Sequence, residues 1–233
     1  MKLSALTPNI ERSIDELYDS KFVTIVNAHV LDDRGRTKTL KFTSNIDKPP
    51  YLQNRFSRVD EYLYALRWNE YSFVIYDGSV IQIEYREDNS RIAYHRLCYF
   101  PCPIELDLTL DDLEQPLDEV VLAGINSGRL EIIKPFAALR FDYDAGNAKP
   151  GHPASHFTLI SPDCRIPVQE PMGLERFLEF VFRNFYAGDA AKWAPALKHI
   201  SFNLDKCISD EETNGIHFGW RKPSAFSRIF GRT

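Results

Sequence analysis

The chain contains no run approaching the roughly 18 consecutive apolar residues that a membrane-crossing helix requires. Cysteine is scarce, with only Cys98, Cys102, Cys164 and Cys207 among 233 residues. A zinc site usually needs two short-spaced pairs, and Cys98-Tyr-Phe-Pro-Cys102 supplies one. Reduced thiols in a cytoplasmic protein are therefore expected. A positive charge excess is also lacking: 28 Lys and Arg face 33 Asp and Glu, a net charge of −5. That excludes electrostatic capture of nucleic acid by the whole protein and leaves only local basic patches. No GxxxxGK[ST] phosphate loop, no GxGxxG turn and no GxSxG elbow occurs, which removes the common nucleotide-binding and serine-hydrolase readings. Internal repeats and low-complexity tracts are missing too. The opening MKLSALTPNIERSIDEL turns acidic and amphipathic, without the apolar core of a signal peptide. The expected location is cytoplasmic, away from membranes.

What is present suits a globular core. Hydrophobic residues make up 44% and charged residues 26%, and aromatics are plentiful, with 16 Phe, 11 Tyr and 3 Trp. Thr7-Pro8 suits a helix start, followed by an apolar stripe at Ile10, Ile14 and Leu17. Residues 21–31 read as a β-branched strand, and 36–43 as its return after Asp32-Asp33-Arg34-Gly35. The segment around Pro49-Pro50 is a loop, and 57–69 places Val59, Leu63 and Leu66 on one helical face. Strands 71–76 and 80–86 flank the hairpin turn Asp77-Gly78-Ser79, and 91–100 follows before Pro101. Residues 105–128 are acidic and read as a surface excursion with a short helix. Further strands are expected within 129–143, 155–160 and 164–168, with helices over 174–186 and 189–199. The first of these helices should bury Phe177, Val181 and Phe185.

Adjacent strands joined by tight turns, with helices at both ends, predict an α+β fold: a mostly antiparallel sheet with helices packed on one face. Three regions are expected: an N-terminal helix and hairpin extension (1–50), a central α+β domain (51–200) and a basic, aromatic tail (201–233).

One constellation carries chemistry. In Leu139-Arg-Phe-Asp-Tyr-Asp144 strand alternation puts Arg140, Asp142 and Asp144 on one face, opposite Leu139, Phe141 and Tyr143. A loop rich in glycine and proline follows, ending in His152-Pro-Ala-Ser-His156. If 155–160 pairs with 139–143, His156 and Thr158 lie across from the polar row, with His152 at the strand mouth and Arg165 within reach. Two imidazoles, two guanidiniums and a carboxylate suit phosphodiester chemistry. Histidines trade protons near neutral pH, arginines hold phosphate, and Asp142 orients an imidazole. The same residues also fit a metal site through His152, His156 and Asp142, though neither spacing is a metal signature, so metal and cofactor stay unknown. The plain alternative is a same-face ion pair plus histidines that satisfy loop carbonyls. His95 is a weaker candidate for the same face, and Cys164 for a thiol nucleophile beside His156. The site is expected to open to solvent, so that removing His156 leaves stability almost unchanged.

Several motifs in fixed order resemble a known prokaryotic family. They are Asp77-Gly-Ser-Val-Ile-Gln-Ile-Glu-Tyr85, His95-Arg-Leu-Cys-Tyr-Phe-Pro-Cys-Pro103, Leu139 to Asp144, His152-Pro-Ala-Ser-His156, Cys164-Arg-Ile-Pro-Val168 and Phe180-Val-Phe-Arg-Asn-Phe-Tyr186. The family is catalogued only as domain of unknown function 2290; the resemblance covers roughly 57–187 and implies no assigned activity. A looser similarity runs to TumE-like toxins, through the Asp-Gly-Ser hairpin, the Tyr-His strand, the Arg-x-Asp strand and a His-bearing loop. The chain departs from them in lacking a His-His pair and in its acidic insertion. That similarity implies a toxin or phage-defence effector acting on RNA, with Arg140, Asp142, His152, His156 and Arg165 as its site. The alternative is a non-catalytic binding or assembly subunit that offers the same face to a protein partner, such as an antitoxin or a defence subunit.

Overall fold

A computed structural model describes residues 2–43, 58–106, 115–127, 137–159, 163–202 and 204–220. Among these the chain order is α1 (Leu3–Asp19), β1 (Val23–Val26), β2 (His29–Arg34), β3 (Thr37–Phe42), α2 (Arg58–Arg67), β4 (Phe73–Ile75), β5 (Val80–Asp88), β6 (Arg91–Phe100), α3 (Leu117–Asn126), β7 (Leu139–Asp144), β8 (Ser155–Leu159), β9 (Arg165–Pro167), α4 (Leu174–Phe185), α5 (Ala190–Trp193) and α6 (Asp210–Thr213). Neighbouring strands run antiparallel in the order β1-β4-β5-β6-β7-β8-β9, and the β2–β3 hairpin joins through β3 to β5. The expected α+β class with a mostly antiparallel sheet is what the chain forms. The N-terminal helix and hairpin extend this same sheet.

Alternation sorts the sheet into two faces. Ile81, Ile83, Tyr85, Leu97, Tyr99, Phe141 and Phe157 point into the main core, against α1 and α4. On α4, Leu174, Phe177, Leu178, Val181 and Phe182 are buried, each contributing about 1.5–3 kcal/mol. Val74, Val80, Cys98 and Phe100 point the other way, into a smaller core closed by Tyr62, Leu63 and Leu66 of α2 and Leu117 and Val121 of α3. These two helices cover one end of the second face. The other end, at β6–β9, is polar.

The Asp77-Gly78-Ser79 turn joins β4 to β5 as its sequence demands. Gly78 has φ +83°, and a Cβ there would lie 3.0 Å from Cys102 Sγ, so glycine is required twice over. Asp77 Oδ1 accepts the Ser79 N–H, and Tyr62 donates its hydroxyl to the Gly78 carbonyl.

Several expectations need correction. Helix α1 begins at Leu3, and Pro8 lies inside it. Buried Leu3 and Leu6 extend the apolar stripe, and their burial at about 1.5–3 kcal/mol each offsets the roughly 3 kcal/mol cost of the interior proline. Residues 21–31 split into two strands at Asn27, whose side-chain amide reaches the carbonyls of Thr43, Asn69 and Tyr71. The expected helix 189–199 is only α5 and a short 3₁₀ turn at Ala196–His199, because Pro195 has no N–H to continue a helical ladder. Phe185 is 51% exposed, with its ring against Tyr99, and Phe182 takes the inward position. The expected turn-rich segment at Pro49-Pro50 and the basic residues Arg221, Lys222, Arg228 and Arg232 of the tail lie outside the described residues.

Candidate functional site

The polar end of the sheet is built by register. Across β6, β7 and β8, Arg96 pairs with Asp142 and Asp142 with His156; one step along, Cys98 pairs with Arg140, Arg140 with Thr158, and Thr158 with Arg165. Side chains at paired positions share a face, so four of the five expected residues stand side by side. The fifth arrives by turn chemistry. Lys149-Pro150-Gly151-His152 closes through reciprocal backbone bonds of 3.1 and 2.8 Å, with Gly151 at φ +75° after a proline, the type II arrangement. That turn folds His152 over the face, where its ring meets the His156 ring edge to face at 5.1 Å.

The result is a cleft of about 460 Å3 lined by Tyr94, Arg96, Arg140, Asp142, Lys149, His152, His156 and Arg165, together with the Asp144–Ala148 turn. All five residues expected from sequence line it. They are not all exposed, however. Arg140, Asp142 and His156 form the floor at 8%, 6% and 4% exposure, so the exposure from which a small stability contribution of His156 was expected does not hold. Short strand side chains between long arginines sit low, and the turn at 149–152 roofs them.

Charge is arranged unevenly. Asp142 is held by Arg96 Nε at 3.1 Å from Oδ1 and by Arg140 against Oδ2, and His156 Nε2 lies 3.6 Å from Oδ2, an ion pair only when the ring is protonated. Burial alone pushes the Asp142 carboxyl up, but the two guanidiniums and the imidazole outweigh it and hold it below its ordinary value. Asp144 spends its carboxylate on its own turn, accepting from the Gly146 N–H and the Asn147 amide. Arg140 is packed at an angle that leaves Nε–H and Nη1–H without an aligned acceptor among the described residues, and the neighbouring Thr158 hydroxyl is likewise buried without one among them. Each such group costs about 1–3 kcal/mol. The lining holds four fixed cations against two carboxylates, in a chain whose net charge is −5.

His156 has a defined tautomer. Its Nδ1 lies 3.0 Å from the Pro153 carbonyl, which only accepts, so Nδ1 carries the hydrogen. The Nε2 lone pair of the neutral ring then faces the cleft beside Asp142. Burial lowers the His156 pKa below its ordinary value, although the Asp142 charge pulls it partly back. A neutral imidazole with an available lone pair is a proton acceptor.

Other sequence candidates fall away. His95 lies on the opposite face, fully buried, where Nε2 accepts the Met172 N–H at 2.9 Å. Burial holds its pKa down at about 4. Cys164 is exposed and does not line the cleft. Among the described residues no three His, Cys, Asp or Glu side chains are grouped to hold a metal ion, so the metal reading of Asp142, His152 and His156 finds no support in their placement.

Sequence reasoning missed Arg96, Tyr94 and Lys149. Counting back from the inward Leu97 and Tyr99 would have turned His95 inward and Tyr94 and Arg96 outward; a register shift between Arg86 and Glu87 hides this pattern near the start of β6.

No curated protein and no solved structure matches the chain. The model of one protein family, described as an uncharacterized conserved protein (DUF2290), matches residues 23–220, a wider span than the motif blocks cover and one that takes in the β1–β3 region. The match extends over most of the chain, and the protein belongs to this family.

Proposed function

We propose that the cleft is a phosphodiester site acting on RNA, in a toxin or phage-defence effector. The observation that carries this reading is the cation excess over spent carboxylates, in one cleft with a histidine pair. A cleft of that charge recruits phosphate, and arginine is suited to hold it. The chemistry follows from the tautomer of His156. Its Nε2 takes the proton from an RNA 2′-hydroxyl, whose oxygen attacks the adjacent phosphorus. The bond from phosphorus to the 5′-oxygen breaks, and that oxygen leaves with a proton from His152. The products are a 2′,3′-cyclic phosphate and a 5′-hydroxyl end. Arg140 and Arg165 neutralise the charge that builds on the phosphoryl oxygens. Asp142 acts on His156 rather than on substrate. The toxin or defence setting rests on the looser motif similarity to TumE-like toxins alone.

The test is cleavage of an end-labelled single-stranded RNA by the purified chain, with the product ends identified. Cyclic-phosphate ends that disappear with His156→Gln support the reading, as does growth arrest on expression that His156→Ala relieves. Intact RNA, or cleavage unchanged in the His156 variant, overturns it.

A second reading is a non-catalytic binding or assembly subunit that uses the same face. It is favoured by the mutual pairing of Arg140, Asp142 and His156 at the cleft floor, which also suits a structural polar core. Retained partner binding by a chain that never cleaves RNA supports this alternative.

A further inference from the structure

Tyr94 stands on the cleft wall with the Arg86 guanidinium 5.0 Å over its ring, a cation–π contact that covers one face of the phenol. The register continues outward from there: Tyr94 pairs with Arg86 on β5, and Arg86 with Thr39 on β3. Alternation places Lys41 on the same face as Thr39, because Leu40 between them is buried in the main core. At about 4.8 Å per strand, Tyr94 lies roughly 10 Å from Thr39. The opposite direction is closed. Beyond Arg140 the face turns apolar at Cys98, Val80 and Phe100, under α2 and α3.

We infer that this end of the sheet, uncovered among the described residues, binds single-stranded RNA, with one nucleobase stacked on the Tyr94 ring from the cleft and the sugar–phosphate backbone passing Arg86 toward Lys41. This rests on the phosphodiester reading of the cleft and names its substrate class. A base beside the scissile phosphate needs a flat surface at the cleft wall, and Tyr94 is the aromatic ring that lines it. Arg86 holds the ring from behind and offers its charge to the adjoining phosphate. Glu84 on the same face sits directly across from Arg96, so its charge is answered locally. A duplex keeps its bases stacked on one another and has none to offer Tyr94. The strand must be single.

The experiment measures fluorescence anisotropy of a labelled single-stranded RNA octamer on the full chain carrying His156→Gln, which prevents turnover. Stacking is worth about 1–3 kcal/mol per base, so Tyr94→Leu should weaken binding by about 5- to 150-fold. Tyr94→Phe keeps the ring and should restore binding. Arg86→Gln removes one phosphate contact and should flatten the salt dependence by roughly one ion. The matching RNA duplex should bind more weakly and ignore Tyr94→Leu. Unchanged binding by Tyr94→Leu, equal affinity for duplex and single strand, or no RNA binding at all overturns the inference. The two readings fail separately. Tyr94-dependent binding by a parent chain that never cleaves refutes only the cleavage, whereas cleavage with an unchanged KM in Tyr94→Leu refutes only the stacking.

Discussion

Asp142 and His156 face one another across the β7–β8 pair, with Oδ2 3.6 Å from Nε2. The carboxylate also holds Arg96 and Arg140, so a single buried anion organises two guanidiniums and an imidazole. Much of the behaviour of the cleft should follow from that one charge.

Replacing Asp142 with Asn leaves the buried Arg140 guanidinium without its counter-charge, while the half-buried Arg96 keeps Glu84 across from it. Breaking a buried pair by removing one partner costs about 3–5 kcal/mol. Denaturant unfolding of Asp142→Asn should show a loss of that size, and a loss below 1 kcal/mol would mean the pairs are screened. The same variant should lower the His156 pKa further, since the Asp142 charge is what opposes burial there. NMR titration of the ring reads that shift directly.

Stability should fall in mild acid because of His95. Its folded pKa is about 4 against an ordinary 6.5, so the unfolded chain binds the proton first. Above pH 6.5 both states are neutral and the contribution is intact. It is lost progressively as pH falls from 6.5 to about 4, and the total is on the order of 3 kcal/mol at about 1.4 kcal/mol per pH unit. His29, half-buried beside Ser72 and also held near 4, adds to the same slope. His95→Gln keeps an acceptor for the Met172 N–H and should flatten the curve between those limits. An equally steep curve in the variant would move the cause elsewhere.

None of the four cysteines is disulfide-bonded, and they should differ in reactivity. Burial pushes the Cys98 thiol up to about 12, and Cys102 is buried as well, whereas Cys164 is exposed. A maleimide reagent should modify Cys164 on the folded chain and reach Cys98 and Cys102 only on unfolding. Fast native labelling of Cys98 would show that its core opens readily.

Helix α4 offers a paired test of packing. Phe182→Ala should cost about 3–5 kcal/mol, because Phe182 is fully buried and its ring lies edge-on to Phe22. Phe185→Ala should cost much less, since half of that ring is already in water.

The sheet was legible because its signals are local. Alternation over 139–144, the Asp77-Gly78 turn and the Pro-Gly turn before His152 each act within a few residues, and alternation alone put Arg140 and Asp142 on one face; His156 joined them only on the condition that 155–160 pairs with 139–143. The elements misread depend on distant partners. Helix α1 runs through Pro8 because Leu3 meets a core built from β-strands and α4. The break at Asn27 is made by carbonyls 16 to 44 residues away. The orientation of His95 is fixed by Met172, and the inward turn of Phe182 by Phe22 and Trp193. Burial of the site floor is likewise a property of the assembled cleft, since nothing near His156 in sequence marks it as enclosed.

Strand β9 is three residues long and forms the sheet edge on the site's side. It ends in Pro167, which has no N–H to offer, while the Pro167 carbonyl already accepts from Phe218 and the next strand position is bridged to the same residue. Among the described residues, a passing chain therefore finds no backbone template at Pro167 and Val168 to lengthen the sheet. Whatever meets this protein beside the cleft has to be recognised by side chains, which permits a charged and exposed working surface at a sheet margin without inviting edge-to-edge aggregation.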